Sequence, residues 1–210
     1  MKAALSCPRC GGQVHEPSAW TSAWRCDEHG DVYPLYPACS PSREGLEAVS
    51  RIAAVPVWLP WPLPMGWLVT GFAKAGDDRT GARACVVAVS GPNPVGGPGD
   101  MLLVAEEPGV GLGARLAGLG GPDPGQDFAG QPPHARVRYG KREFPLWHVD
   151  APDCAAFAGE AMGNWLWLVL WPATAGVLLV EPLRLRDLRD PEQDLDVPYG
   201  ALSPRLPKLA

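Results

Sequence analysis

Four residues near the start of the chain have the types and the spacing of a metal site. Cys7-Pro8-Arg9-Cys10 is followed, 15 residues on, by Cys26-Asp27-Glu28-His29. In each pair a tight turn aims two donors at one tetrahedral ion, and a gap of about 15–20 residues between such pairs is that of a zinc ribbon. Gly11 and Gly30 follow the two pairs, where the turns need a permissive backbone. We read one structural Zn held by Cys7, Cys10, Cys26 and His29, with Cys39 or His15 as alternatives to His29. Neither alternative belongs to a two-spaced pair. Four protein ligands leave no open position for water or substrate, so the ion is expected to hold the fold and not to react.

A second motif, Gly109-Val110-Gly111-Leu112-Gly113-Ala114, fits the dinucleotide-binding fingerprint with Ala in the last place. Its surroundings argue for a strand-to-helix turn instead. Glu106 and Glu107 set two carboxylates where a pyrophosphate would approach. The acidic residue expected ~20 residues further on has only the loop around Asp123 and Asp127 to supply it. No Gly-x-Ser-x-Gly occurs, and Cys85 and Cys154 sit in apolar runs where a thiol acts as a small hydrophobe. His148, between Trp147 and Asp150, could act as a base oriented by a carboxylate. The alternative reading is an enzyme with its site in a pocket of the β-rich domain, using His148 or the carboxylates Glu106 and Glu107.

The elements that must position these residues follow from composition and alternation. With 25 Gly and 25 Pro in 210 residues, long helices are disfavoured and short strands with many turns are expected. Ser40-Pro41-Ser42-Arg43-Glu44 reads as a helix start, with Leu46, Val49 and Ala53 at helical spacing, predicting a linker helix over about 41–53. From Val55 to Pro64, prolines alternate with Val, Trp and Leu, which predicts an extended segment laid across a sheet, anchored by Trp58 and Trp61. Strands are expected at Trp67–Ala73, Ala82–Ser90, Met101–Glu106, Ala135–Tyr139, Phe144–Val149, Ala155–Met162, Trp165–Trp171 and Val177–Val180. Short links at Gly140-Lys141 and Gly163-Asn164 favour antiparallel hairpins. Only Gly109–Leu119 reads as a crossover helix, and the Pro- and Gly-rich stretches 91–100 and 120–133 read as loops. Trp165, Trp167 and Trp171 share one face of their strand and are expected to fill a core lined by Ala and Gly.

The fold class expected is α+β: an N-terminal zinc ribbon, a short linker helix, then a mainly antiparallel β domain with one or two helices. The divisions are 1–38, 39–54, 55–195 and a tail at 196–210. Six cysteines are too few for a disulfide-dense secreted scaffold. The apolar stretch from Ala3 to Leu5 is too short for an export signal. Val55–Phe72 and Trp165–Val180 carry prolines or are too short to span a bilayer as helices. The formal net charge of −5, with residues 1–54 holding five basic against six acidic residues, provides no footprint for nucleic acid or anionic membranes. A nucleic-acid ribbon would need Arg9, Arg25, Arg136 and Arg138 to supply a cluster on one surface. A cytoplasmic binding or adaptor protein is expected, its partner an unknown protein or small ligand.

Five segments carry a resemblance: Cys7-Pro-Arg-Cys10-Gly, Trp24-Arg-Cys26-x-x-His29-Gly, Val55 to Pro64, Glu106 to Arg115, and Gly200-Ala-Leu-Ser-Pro-Arg205. Together they are similar to an uncharacterised family of high-GC Gram-positive bacteria, a domain of unknown function, over nearly the whole chain. That resemblance implies no activity. Leu63-Pro-x-Gly-Trp67 before an antiparallel sheet also resembles sheet domains of bacterial envelope and regulator proteins, an analogy of fold alone.

Overall fold

The structure, a computed structural model, describes residues 5–125, 128–190 and 196–206. Ala3 at the start, Asp127 in the long loop and the last four residues of the expected tail lie outside the described residues. The chain begins with an antiparallel hairpin, β1 (Trp24–Cys26) and β2 (Gly30–Val32). Helix α1 (Arg43–Ile52) follows, where Ser42 accepts a hydrogen bond from the Gly45 N–H at 3.1 Å and Val49 is the buried residue. This is the capping geometry that a Ser in extended backbone supplies to a free helical amide.

Nine strands then form one sheet. They are β3 (Trp58–Pro60), β4 (Leu68–Asp77), β5 (Gly81–Pro92), β6 (Pro98–Glu106), β7 (Ala135–Tyr139), β8 (Arg142–Val149), β9 (Ala155–Ala161), β10 (Asn164–Trp171) and β11 (Leu183–Asp187). A short helix, α2 (Leu112–Leu116), separates β6 from β7. The strand order is β3-β11-β7-β8-β9-β10-β6-β5-β4, and every pair is antiparallel except β7 with β11. The sheet curls until β3 packs against β5 and β6.

Along β5, β6 and β10 both faces of the sheet are buried, which explains near-continuous apolar runs such as Trp165–Trp171. The inner face holds Val87, Val89, Met101, Leu103, Leu166 and Leu168, closed at one end by Trp58 against Tyr139 with ring centroids 5.0 Å apart. The outer face holds Val86, Leu102, Val104, Trp167 and Val169, covered by Leu112 and Ala114 of α2 and by Leu35 and Leu206. Burying each such Leu or Val contributes roughly 1.5–3 kcal/mol. Trp165 is half-buried and Trp167 fully buried on this outer face, so the tryptophans fill core beneath α2.

Several expectations need correction. Val177–Val180 is not a strand: Ala173–Leu179 forms a 3-10 helix in which Ala175 and Leu179 point inward while Val177 and Val180 are exposed. The missing strand is β11, whose Leu183 and Leu185 alternate with Arg184 and Arg186. Val55–Pro64 does not lie across the sheet, because β3 is its end strand, hydrogen-bonded to β11, where prolines are tolerated. The loop expected at 91–100 shrinks to 93–97, since Gly91 pairs with Gly99 and Pro92 with Pro98. A Cβ on Gly91 would stand 2.5 Å from the Trp67 ring, whose N–H donates to the Pro92 carbonyl at 3.1 Å. Glycine is what lets that indole lie flat on the hairpin. The expected crossover helix shortens to α2 and leads to no parallel neighbour of β6.

Candidate metal centre

The first ligand turn is closed by backbone bonds: the Gly11 N–H donates to the Cys7 carbonyl at 2.8 Å and the Cys7 N–H to the Gly12 carbonyl at 2.7 Å. Gly11 has φ 78, so the turn depends on a residue at ease in the left-handed region. The second turn is the β1–β2 hairpin, with Cys26 at the end of β1 and Gly30, at φ 68, opening β2. His15 exchanges backbone bonds with Arg25, holding the two turns side by side.

Cys7, Cys10, Cys26 and His29 meet there, with their donor atoms all within 4.8 Å of one another, close enough to hold a metal ion. Cys7 Sγ lies 3.7 Å from His29 Nδ1, Cys10 Sγ 3.7 Å from Cys26 Sγ, and Cys26 Sγ 3.6 Å from His29 Nδ1. Cys7 and Cys26 are buried, His29 is half-buried and Cys10 is exposed. Desolvation pushes the Cys10 thiol up to about 11, with Cys26 and Cys7 adding to the rise against the Gly12 N–H. At Cys26 desolvation is outweighed by hydrogen bonds from the His29 ring and from the backbone of Glu28 and His29, bringing that thiol down to about 6. The two alternative fourth ligands sit elsewhere. The His15 ring faces Asp27 at 3.0 Å, and Cys39 pairs by its backbone with Phe72 on β4.

A socket for this centre is built by the Gly-rich motif, an arrangement that sequence reasoning missed. Arg9, inside the first ligand turn, donates from Nη2 to the Gly109 carbonyl and from Nε to the Val110 carbonyl at 3.4 Å. In return Arg115 of α2 donates from Nη1 to the Cys7 carbonyl at 3.0 Å. The only sequence hint was that two arginines stand beside motifs already singled out. Gly109 and Gly111 adopt φ 89 and φ 81, and a Cβ on Gly113 would stand 2.2 Å from the Trp167 ring. All three glycines thus have backbone or packing reasons to be glycine.

Glu106 supplies the anion that a phosphate would otherwise supply. Its carboxylate, fully buried at the end of β6, accepts from the Leu112 N–H at 2.7 Å and the Gly113 N–H at 3.1 Å. Burial pushes this carboxyl up to about 7, against the stabilising pull of those two amides. Glu107 is engaged as well, pairing with Arg83 at 2.5 Å, whose guanidinium lies over the Tyr33 ring. His148 lines a cavity of about 420 Å³ together with Asp123, Phe128 and Asp150. Its ring, however, meets Phe157 and His134, with centroids 5.4 and 6.3 Å away, and among the described residues it pairs with no carboxylate.

A family model spanning residues 1–206 matches the chain. The chain belongs to DUF6758, a family of unknown function. No curated protein and no solved structure matches it. The DUF6758 match takes in both ligand turns, the Gly109–Arg115 socket and all nine strands of the large sheet. Among the described residues no helix is long and apolar enough to cross a membrane.

Proposed function

We propose that this DUF6758 chain is a cytoplasmic zinc-ribbon binding or adaptor protein, in which a structural Zn fixes residues 1–38 against a β-rich domain that contacts a protein or small ligand. The observation that carries the reading is the spacing of the four donors. A tetrahedral ion bonded at about 2.3 Å to sulfur and about 2.0 Å to nitrogen sets sulfur–sulfur edges of about 3.8 Å and sulfur–nitrogen edges of about 3.5 Å. Three of the six separations, 3.7 Å between sulfurs and 3.7 and 3.6 Å between sulfur and nitrogen, lie near those edges, and all six are within 4.8 Å. Three cysteines and one histidine are the donor set that soft-ligand zinc sites use. Among its described residues the N-terminal unit has a small apolar cluster of its own, around Cys7, Val14 and Cys26, and it depends on the ion to offset its ordering entropy.

Elemental analysis of protein purified without chelator tests this, with one zinc per chain expected. Cys26→Ser should release the zinc and expose residues 1–38 to protease while the sheet beyond residue 55 keeps its core. A zinc content near zero, or one unchanged by Cys26→Ser, sinks the reading. The second reading, an enzyme in the β-rich domain, draws on the cavity beside His148. Glu106 and Glu107 do not support it, since both are committed to α2 and to Arg83.

A further inference from the structure

The outer face of β7 and β11 carries an arginine array that neither the metal centre nor the core explains. Alternation turns Val137 and Leu185 into the core and turns Arg136, Arg138, Arg184 and Arg186 to solvent, all four exposed. The parallel register sets Arg184 directly opposite Arg138. Neighbouring strands lie ~4.8 Å apart and alternate residues along a strand ~7 Å apart, so the four side chains spring from a staggered row, Arg136, Arg138, Arg184, Arg186, about 14 Å long. Glu143 of β8 stands opposite Arg138 on the other side, accepting from its Nε at 2.6 Å and lying 4.0 Å from Arg136 Nη1. Among the described residues no carboxylate pairs with Arg184 or Arg186.

Like charges directly opposite across a ladder destabilise it. A chain with formal net charge −5 has acidic residues to spare, yet none of the described ones stands opposite Arg184. We propose that this face is a docking surface for an acidic segment of a partner protein, gripped through Arg136, Arg138, Arg184 and Arg186. The inference rests on the adaptor reading and names the chemistry of its partner.

Carboxylates fit better than a nucleic-acid backbone for two reasons. Glu143 shows, within the array, one carboxylate shared by two guanidiniums, the geometry an acidic side chain would repeat beside Arg184 and Arg186. The ring beside the array is already engaged within the chain: Trp147 meets Phe128 edge-on at 5.6 Å and donates its N–H to the Gln131 carbonyl at 2.6 Å. Nor would a long phosphate backbone be helped by the rest of the chain, whose charge is more negative than the total once these arginines are set apart.

The test uses full-length, zinc-loaded protein and a fluorescein-labelled decaglutamate peptide, with binding read by anisotropy. Wild type should bind at about 50 mM salt and weaken several-fold by about 200 mM, as screening predicts. Arg184→Glu with Arg186→Glu, which touches no core residue, should weaken binding about tenfold or more. Arg51→Glu, exposed in the last turn of α1, should leave it unchanged. Equal binding by wild type and the charge-reversed variant overturns the proposal, as does tighter binding of a ten-nucleotide thymidine oligomer or of phosphatidylserine vesicles. Failure here with zinc retained at one per chain removes the docking surface alone, whereas loss of the zinc result removes the adaptor reading and leaves the array to be judged by the peptide.

Discussion

Arg115 on α2 donates from Nη1 to the carbonyl oxygen of Cys7 at 3.0 Å, across 108 positions of sequence, and so ties the β-rich domain to the first ligand turn. The guanidinium also fills the space beside Gly11, where a Cβ would stand 2.4 Å from Nη2. Burial lowers the pKa of this guanidinium from its usual value, against the opposing pull of Cys10 and Cys7.

Arg115→Ala should therefore cost about 1–3 kcal/mol, the range for losing a charged donor to a buried carbonyl. It should also speed the loss of zinc to a chelator. Urea unfolding and chelator kinetics read the two effects. Unchanged chelator kinetics would show that the contact does not brace the ligand turn.

The Glu106 carboxyl gives stability a pH dependence of definite sign. Its folded value, raised from 4.5 to about 7, lies above the unfolded one, so the folded chain holds the proton more tightly. The contribution is full below about pH 4.5 and is lost as pH rises through about 7, a change of roughly 3 kcal/mol. The stability difference between wild type and Glu106→Gln should fall by that order over this window and level off above it. A difference that stays flat with pH counts against the burial-driven shift.

Gly113→Ala brings a Cβ to within 2.2 Å of Trp167 Cδ1, and either α2 or the indole must move. A loss of about 1–3 kcal/mol is expected, with a shift in tryptophan emission. Gly120→Ala, where a Cβ meets nothing within 4 Å, should stay within about 0.5 kcal/mol of wild type. Equal stability of the two variants would contradict the packing described.

Titration with NAD or NADP should leave tryptophan fluorescence and melting temperature unchanged. The Leu112 and Gly113 amides already hold the Glu106 carboxylate, and bringing a pyrophosphate there would set charge against charge. Micromolar binding would overturn this assignment.

The sequence made local features legible and left distant ones hidden. The cluster of four donors could be read because Cys7, Cys10, Cys26 and His29 lie within 23 residues. Trp165–Trp171 could be read as a strand because its apolar run is unbroken. The run at Val177–Val180 misled because its composition suits a strand, whereas only Ala175 and Leu179 are buried there, four residues apart. β11 was missed although Leu183 to Asp187 alternates, because five residues carry little signal and their partners, β3 and β7, lie far back in the chain. The roles of Glu106 and Arg115 could not be read, since each depends on a fold already formed.

The place of β11 between β3 and β7 bears on the order of events as the chain is made. β3 is complete at residue 60 and β7 at residue 139, but the strand that joins them ends at residue 187. Until that point emerges from the ribosome, both strands present open edges with no one to pair with. The curl cannot close early, and closing it demands contacts between segments more than a hundred residues apart, the kind that slow folding. A nascent chain stopped short of β11 would be a sticky, open half-shell, and the interval for a chaperone to attend it is the time taken to translate the 48 residues from the end of β7 to the end of β11.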